Sequence, residues 1–301
     1  MKNKKIIICL ILLFIIIIVV LGIYLFNRNK RKFLDEYIEN ALTADYIMHA
    51  LGGMEGTYSY TNSIDALKQT YEEGYRFFEV DISLTLDQKL VCAHSTNNGI
   101  LGDDEMNIWS KNDWIKRLGQ KYDENHTLAT YEEFMSFEIQ GKFKATSFEE
   151  IVDFMSKHKD MYIMLDIGNR SYKSTKKIYQ AIVDSAKGNE DVLNRMIAGG
   201  HTTEMIEAVL EVYDFPLLNL YFADEETRQE ELQDPKDFVD YCTKNGITSF
   251  STSVSTFKNE DLSELINSEL ISYVFTTDEE EEAAMIREKG GIVVGTNFLR
   301  N

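Results

Sequence analysis

Tyr46-Ile47-Met48-His49-Ala50-Leu51-Gly52-Gly53 and, further on, Phe77-Phe78-Glu79-Val80-Asp81-Ile82 are the stretches whose reading decides the fold. The first is an apolar run ending in a histidine and then a glycine pair, the pattern of a buried strand that delivers His49 into a loop. In the second, strand alternation places Glu79 and Asp81 on one face, roughly 7 Å apart at the backbone, with Phe78, Val80 and Ile82 on the other. Two acids on one strand face repel unless something positive lies between them. A polar turn, Thr85 to Lys89, then leads through Leu90-Val91-Cys92-Ala93 to His94, so a second histidine also ends a strand.

Working outward, the same grammar repeats to the C-terminus. Ser63 stands before Ile64, Leu67 and Tyr71, spaced as one helix face, and Gly74 stops that helix. Ser147-Phe148-Glu149-Glu150 is a capping box ahead of Ile151, Phe154 and Met155. Met161 to Leu165 reads as a strand ending in Asp166. Further strands are expected at Arg195–Ala198, Leu217–Phe222, Ile247–Phe250, Tyr273–Thr276 and Ile292–Val294, with helices between them. Eight or nine strands alternating with helices in about 270 residues predict an α/β chain, a (β/α)8 TIM-type barrel. Ser95 to Gln120 is too long for an ordinary barrel loop and reads as a lid over the rim.

Ahead of the barrel, Ile6 through Phe26 is an unbroken apolar run. Its 21 residues span roughly 31 Å as a helix, enough to cross a bilayer, and no small-residue cleavage site follows. The expected organisation is a single transmembrane anchor with basic flanks over residues 1–32, a linker over 33–44 and a barrel over 45–301. The chain is therefore expected at the cell membrane as a single-pass protein with the barrel outside. The first 32 residues hold seven of the 31 basic side chains and no acid, leaving 24 bases against 50 acids beyond them. A domain that acidic is repelled by nucleic acid, which is excluded as a partner. Three cysteines, one of them in the apolar run, make no disulfide framework or metal cluster.

In a barrel of this kind the site lies at the C-terminal ends of the strands, where His49, Asp81, His94 and Asp166 all fall, with Glu79 on the face of Asp81. Glu79, Asp81 and Asp166 supply three oxygen donors suited to a hard divalent cation, Ca2+ or Mg2+. The plainer alternative pairs these acids with Arg76, Lys89 or Arg170. Two histidines titrating near neutrality suit general base and general acid work on a phosphodiester whose charge the cation neutralises. His201, after Gly199-Gly200 at another strand end, is placed to face the same pocket, and the backbone N–H groups of Gly52 and Gly53 suit an anion. His158 fits a structural role at a helix end, and His126 lies in the insert.

The order His49, Asn62, Glu79-Val80-Asp81, His94, Leu165-Asp166-Ile167 resembles the glycerophosphodiester phosphodiesterase family, within the barrel superfamily that includes phosphatidylinositol-specific phospholipase C. The resemblance implies a metal-dependent phosphodiesterase acting on glycerophosphodiesters, phospholipid headgroups or polyglycerol-phosphate polymers. It implies His49 and His94 as the catalytic pair, with His49 assigned as base and His94 as acid. It implies Glu79, Asp81 and Asp166 as metal ligands and includes Asn62, which joins Gly52 and His201, read from their loop and strand-end positions, as the expected substrate contacts. The chain departs from the family pattern at Ala50 for an arginine, Thr61 for a glutamate, Ser95 for an aspartate, Asp166 for a glutamate and Gly168 for a lysine. Two cationic phosphate contacts are thereby lost, with Arg76, Lys144 and Arg170 as candidate substitutes. The alternatives are a degenerate barrel acting as a surface binding module and a phospholipase C-like lyase that forms a cyclic phosphate.

Overall fold

Phe77–Leu84 and Tyr162–Ile167 are buried at nearly every residue, the acids Glu79 and Asp81 included, and a parallel sheet covered on both sides is the arrangement that buries such strands. All eight residues of Phe77–Leu84 are buried. The computed structural model describes residues 2–85, 87–94, 130–136, 138–168, 171–225 and 228–300, without the side chains of 2–13, 19, 23–27 and 29.

Eleven strands are described: β1 Tyr46–Met48, β2 Phe77–Leu84, β3 Leu90–Cys92, β4 Glu138–Ile139, β5 Phe143–Lys144, β6 Tyr162–Ile167, β7 Met196–Gly200, β8 Leu217–Tyr221, β9 Ser249–Ser253, β10 Ile271–Phe275 and β11 Val293–Thr296. The main sheet runs β1-β11-β10-β9-β8-β7-β6-β2 in parallel and closes on itself because β1 also pairs with β2. The result is the expected eight-stranded parallel barrel with helices between strands. β3 is a ninth strand, antiparallel, added where β2 leaves the barrel wall: Ile82, Ser83 and Leu84 pair with Cys92, Val91 and Leu90. β4 and β5 form a separate two-stranded hairpin that the sequence reading did not include.

The caps read from the sequence form as the residue types dictate. Ser63 accepts from Ala66 N–H at the head of helix Ile64–Glu72, and Ser147 with Glu150 makes a complete capping box on helix Phe148–Lys157. Each such cap stabilises its helix by about 1 kcal/mol. Two glycines shape the wall beside the first strand. A Cβ on Gly295 would lie 2.1 Å from the Phe275 ring, and one on Gly53 would lie 2.2 Å from the Phe298 ring. Only a residue without a side chain lets those rings and the β1 loop approach so closely.

The chain divides into two units, residues 1–40 and 41–301. The first lies within the helix Lys2–Thr43, so the residues expected as a linker continue that helix. Among the described residues no helix is long and apolar enough to cross a membrane. Much of the Ile6–Phe26 run expected as the anchor lies outside the residues whose side chains are described.

Candidate active site

Parallel register does the first part of the assembly. Asp81 on β2 stands directly opposite Asp166 on β6, and Glu79 opposite Met164, so the two aspartates project side by side and Glu79 lies one pleat repeat below. One carboxylate oxygen from each of Glu79, Asp81 and Asp166 can be chosen so that all three lie within 4.8 Å of one another. Glu79 and Asp81 are 4% and 3% exposed, while the Asp166 side chain is partly open to solvent.

The surroundings of these acids are specific. Glu79 Oε2 accepts the backbone N–H of Ala50 at 2.7 Å, made possible by the left-handed backbone of Ala50 (φ 48°), and His49 Nε2 lies 3.9 Å from the same oxygen. Asn62, also left-handed at φ 48°, engages Asp81 through both ends of its carboxamide: Nδ2 donates to Oδ2 at 2.8 Å and Oδ1 accepts from Asp81 N–H at 3.0 Å. Asn62 therefore holds Asp81 in place. His201 Nε2 donates to Asp166 Oδ1 at 3.1 Å, since an ionised carboxylate only accepts.

Burial pushes Glu79 well above the usual carboxylate pKa, reinforced by the charges of Asp81 and Asp166. Asp81 is raised as well, chiefly by burial, with His94 and Asn62 among the groups opposing. For Asp166 burial again acts upward, but the His201 hydrogen bond and the charges of His201, His94 and His49 together bring it below the usual value. Of the basic side chains weighed as partners, Arg76 is committed elsewhere, to Asp160 and the carbonyls of Tyr71 and Tyr75 below the barrel. Arg170 lies outside the described residues, as do Ser95, His126 and the Ser95 to Gln120 segment read as a lid.

Three buried or half-buried carboxylates with so little cationic relief suit a bound cation, and one atom makes the point. Glu79 Oε1 is buried and has no hydrogen-bond partner among the described residues. A buried carboxylate oxygen left without a donor is costly, and a metal ion is the partner that the neighbouring acids equally need. The donor set, all oxygen, fits a hard divalent ion.

The histidines meet at the same rim. His49 follows β1, is 9% exposed, and meets the Tyr60 ring edge-to-face at 4.4 Å between centroids; His94, two residues beyond β3, meets the same ring at 6.3 Å. His49, Glu79, Asp166, His201, Asn219, Tyr221, Ser251 and Phe275 line one open cleft of about 590 Å³. The Gly52 amide, expected to meet an anion, donates instead to the His49 carbonyl at 2.8 Å, and the Gly53 amide to the Asn297 carbonyl at 2.7 Å. A tight loop that closes on itself spends its N–H groups, which corrects that expectation.

Sequence reasoning missed two residues here. Asn297, just past β11, meets His49 Nδ1 through Oδ1 at 3.0 Å, and its Nδ2 bonds Asp278 Oδ2 at 3.0 Å. The available signal was a carboxamide one residue past the last barrel strand, the same station that singled out the histidines.

A family model described as the glycerophosphoryl diester phosphodiesterase family matches residues 53–300. Among solved structures, the chain is similar to a proposed glycerophosphodiester phosphodiesterase from Galdieria sulphuraria, with TM-score 0.65, 15% identity, and coverage of 85% of this chain and 94% of that one. It is similar to an Oleispira antarctica phosphodiesterase in complex with the product sn-glycerol-3-phosphate, with TM-score 0.58, 13% identity, and coverage of 84% and 92%. A glycerophosphodiester phosphodiesterase from Thermotoga maritima gives TM-score 0.56 at 18% identity, with coverage of 84% and 94%. No curated protein matches the chain.

Proposed function

The chain belongs to the glycerophosphoryl diester phosphodiesterase family and is a phosphoric diester hydrolase; from the chemistry of its rim we propose a membrane-anchored, metal-dependent enzyme that uses two histidines on glycerophosphodiesters or related headgroup and polyglycerol-phosphate diesters. The observation that carries this reading is the convergence of His49, Glu79, Asp166 and His201 on one cleft, with Asp81 paired to Asp166.

Glu79, Asp81 and Asp166 are the residues that would hold the ion. When bound, a divalent cation supplies neutralisation of the phosphodiester charge and of the negative charge that builds up during displacement. The donor set is all oxygen, which suits either Ca2+ or Mg2+.

His49 Nε2, facing the carboxylates, takes the proton of the attacking water or substrate hydroxyl. His94, which meets the same Tyr60 ring as His49, gives a proton to the leaving alkoxide. His201, anchored by Asp166, lines the cleft as a substrate contact where Ala50 and Gly168 provide no cationic side chain. Anchoring rests on the Ile6–Phe26 run, of which Phe14 to Ile18, Val20 and Leu21 are exposed apolar side chains that water would disfavour. With the anchor in a cell membrane, an outward-facing barrel meets envelope phosphodiesters, in keeping with the small phosphate product held by the Oleispira antarctica protein.

The test is hydrolysis of a panel of such diesters, with and without chelator, by wild type, His49→Ala and His94→Ala. Loss of turnover with chelator and in both variants is expected. Turnover unaffected by all three changes would refute the mechanism, and saturable binding without turnover in wild type would show a binding module instead. A cyclic phosphate in the phosphorus NMR spectrum would identify a lyase.

A further inference from the structure

Every hydrogen bond to the Asp278 carboxylate comes from a donor. Oδ1 accepts from Thr296 Oγ1 at 2.7 Å, from the Asn297 amide at 2.7 Å and from the Phe298 amide at 2.9 Å, and Oδ2 faces the Asn297 carboxamide at 3.0 Å. Burial acts to raise the Asp278 pKa, but these bonds outweigh it and hold the group below its ordinary value, so it is ionised at neutral pH. An ionised carboxylate has no proton to offer, so the end of Asn297 that faces it must be the NH2. The reverse orientation would set two oxygens against each other.

With Nδ2 committed to Asp278, Asn297 Oδ1 is the end left for His49 Nδ1, 3.0 Å away. A carbonyl oxygen only accepts, and His49 must therefore carry a proton on Nδ1. In the neutral ring the lone pair is then on Nε2, the nitrogen that faces Glu79 and the cleft. Asn297 is 6% exposed and has nowhere to turn without breaking both bonds.

We propose that Asn297, oriented by Asp278, is a positioning residue that locks His49 in its Nδ1–H tautomer and so keeps Nε2 as the proton-accepting atom. The role in turnover rests on the assignment of His49 as base; the tautomer itself does not. In the step concerned, Nε2 gains the proton released by the attacking oxygen, and Nδ1–H stays bonded to Asn297 Oδ1. A carboxamide does this without placing a fourth carboxylate beside Glu79, Asp81 and Asp166. The device uses β10, whose end leads to Asp278, and β11, whose end leads to Asn297, and so ties the last two barrel strands to the first.

The experiment is nitrogen-15 NMR of the full chain labelled at histidine, at about pH 8.5, well above the reference imidazole value. The chain has five histidines, and the His49 signals are identified by their loss in His49→Gln. Wild type is expected to show His49 protonated on Nδ1 and bare on Nε2. Asn297→Ala, and separately Asp278→Asn, which frees Asn297 to turn over, are expected to give mixed tautomers. Asn297→Ala is expected to lower kcat about 100-fold with little change in KM, the lower end of what a positioned general base contributes. A wild-type His49 protonated on Nε2, or a tautomer unchanged in both variants, overturns the proposal. The tautomer pattern as expected in a chain that turns over no diester would uphold the lock and refute the hydrolytic assignment of His49, so the two failures are separable.

Discussion

Glu79→Gln should raise the thermal stability of the metal-free protein and abolish its stabilisation by Ca2+. Glu79 is 4% exposed, and one of its oxygens lies within 4.8 Å of oxygens on both Asp81 and Asp166. Two unit charges about 5 Å apart repel by about 3 kcal/mol at an effective dielectric of 20. Glu79 relieves part of this by holding a proton, as its raised pKa indicates, which leaves about 2 kcal/mol for the substitution to recover. Glutamine keeps an oxygen for the Ala50 N–H and preserves the shape. For a domain of this size 1 kcal/mol moves Tm by about 2–4 °C, so chelated Glu79→Gln should melt about 4–8 °C above chelated wild type. Saturating Ca2+ at 100 times Kd stabilises wild type by about 2.7 kcal/mol and reverses the order.

The pH dependence has a definite sign. Folded, metal-free wild type retains a proton on Glu79 that the unfolded chain releases above about pH 4.3. Its stability therefore falls as pH rises from there towards the folded pKa, and Glu79→Gln lacks that component of the slope. Differential scanning fluorimetry with chelator or Ca2+ over this range reads both effects. A lower Tm for chelated Glu79→Gln, together with an unchanged Ca2+ response, would refute the reasoning that these acids are held together for an ion.

Three further outcomes are expected. His201→Ala, removing the side chain that bonds Asp166 and lines the cleft, should raise KM for a phosphodiester by about tenfold or more with a smaller effect on kcat, measured by steady-state kinetics. Ser147→Ala, which breaks a complete capping box beside β3, should cost about 1 kcal/mol in urea unfolding with a smaller effect on kcat/KM. Deletion of residues 1–40, a separate unit, should move the protein from the membrane pellet to the supernatant on fractionation, with full activity.

The barrel was legible where strands are buried on both faces, since a run such as Phe77–Ile82 or Met161–Leu165 has few other ways to fold. The pairing of Asp81 with Asp166 followed from each acid's place near the top of its strand. What escaped was the part set by three-dimensional closure. The two-residue strands β4 and β5 carry no periodicity to read. Gly52 was expected to offer its amide to an anion, but the Ala50 and Leu51 backbone turns left-handed and bends that amide back to His49. Arg76 was weighed as a phosphate contact, yet it precedes β2 and so belongs to the opposite end of the barrel. The tie between Asp278 and Asn297 depends on β10 and β11 ending side by side, which only the folded sheet brings about.

The most direct measurement is a crystal structure of the full chain grown with Ca2+ and sn-glycerol-3-phosphate. The expected result is one ion bonded to Glu79, Asp81 and Asp166 at about 2.3–2.6 Å, with the phosphate between it and the His49 and His94 rings. An ion held elsewhere, or a phosphate bound away from both histidines while the three carboxylates stay bare, would contradict the two-histidine, metal-assisted site.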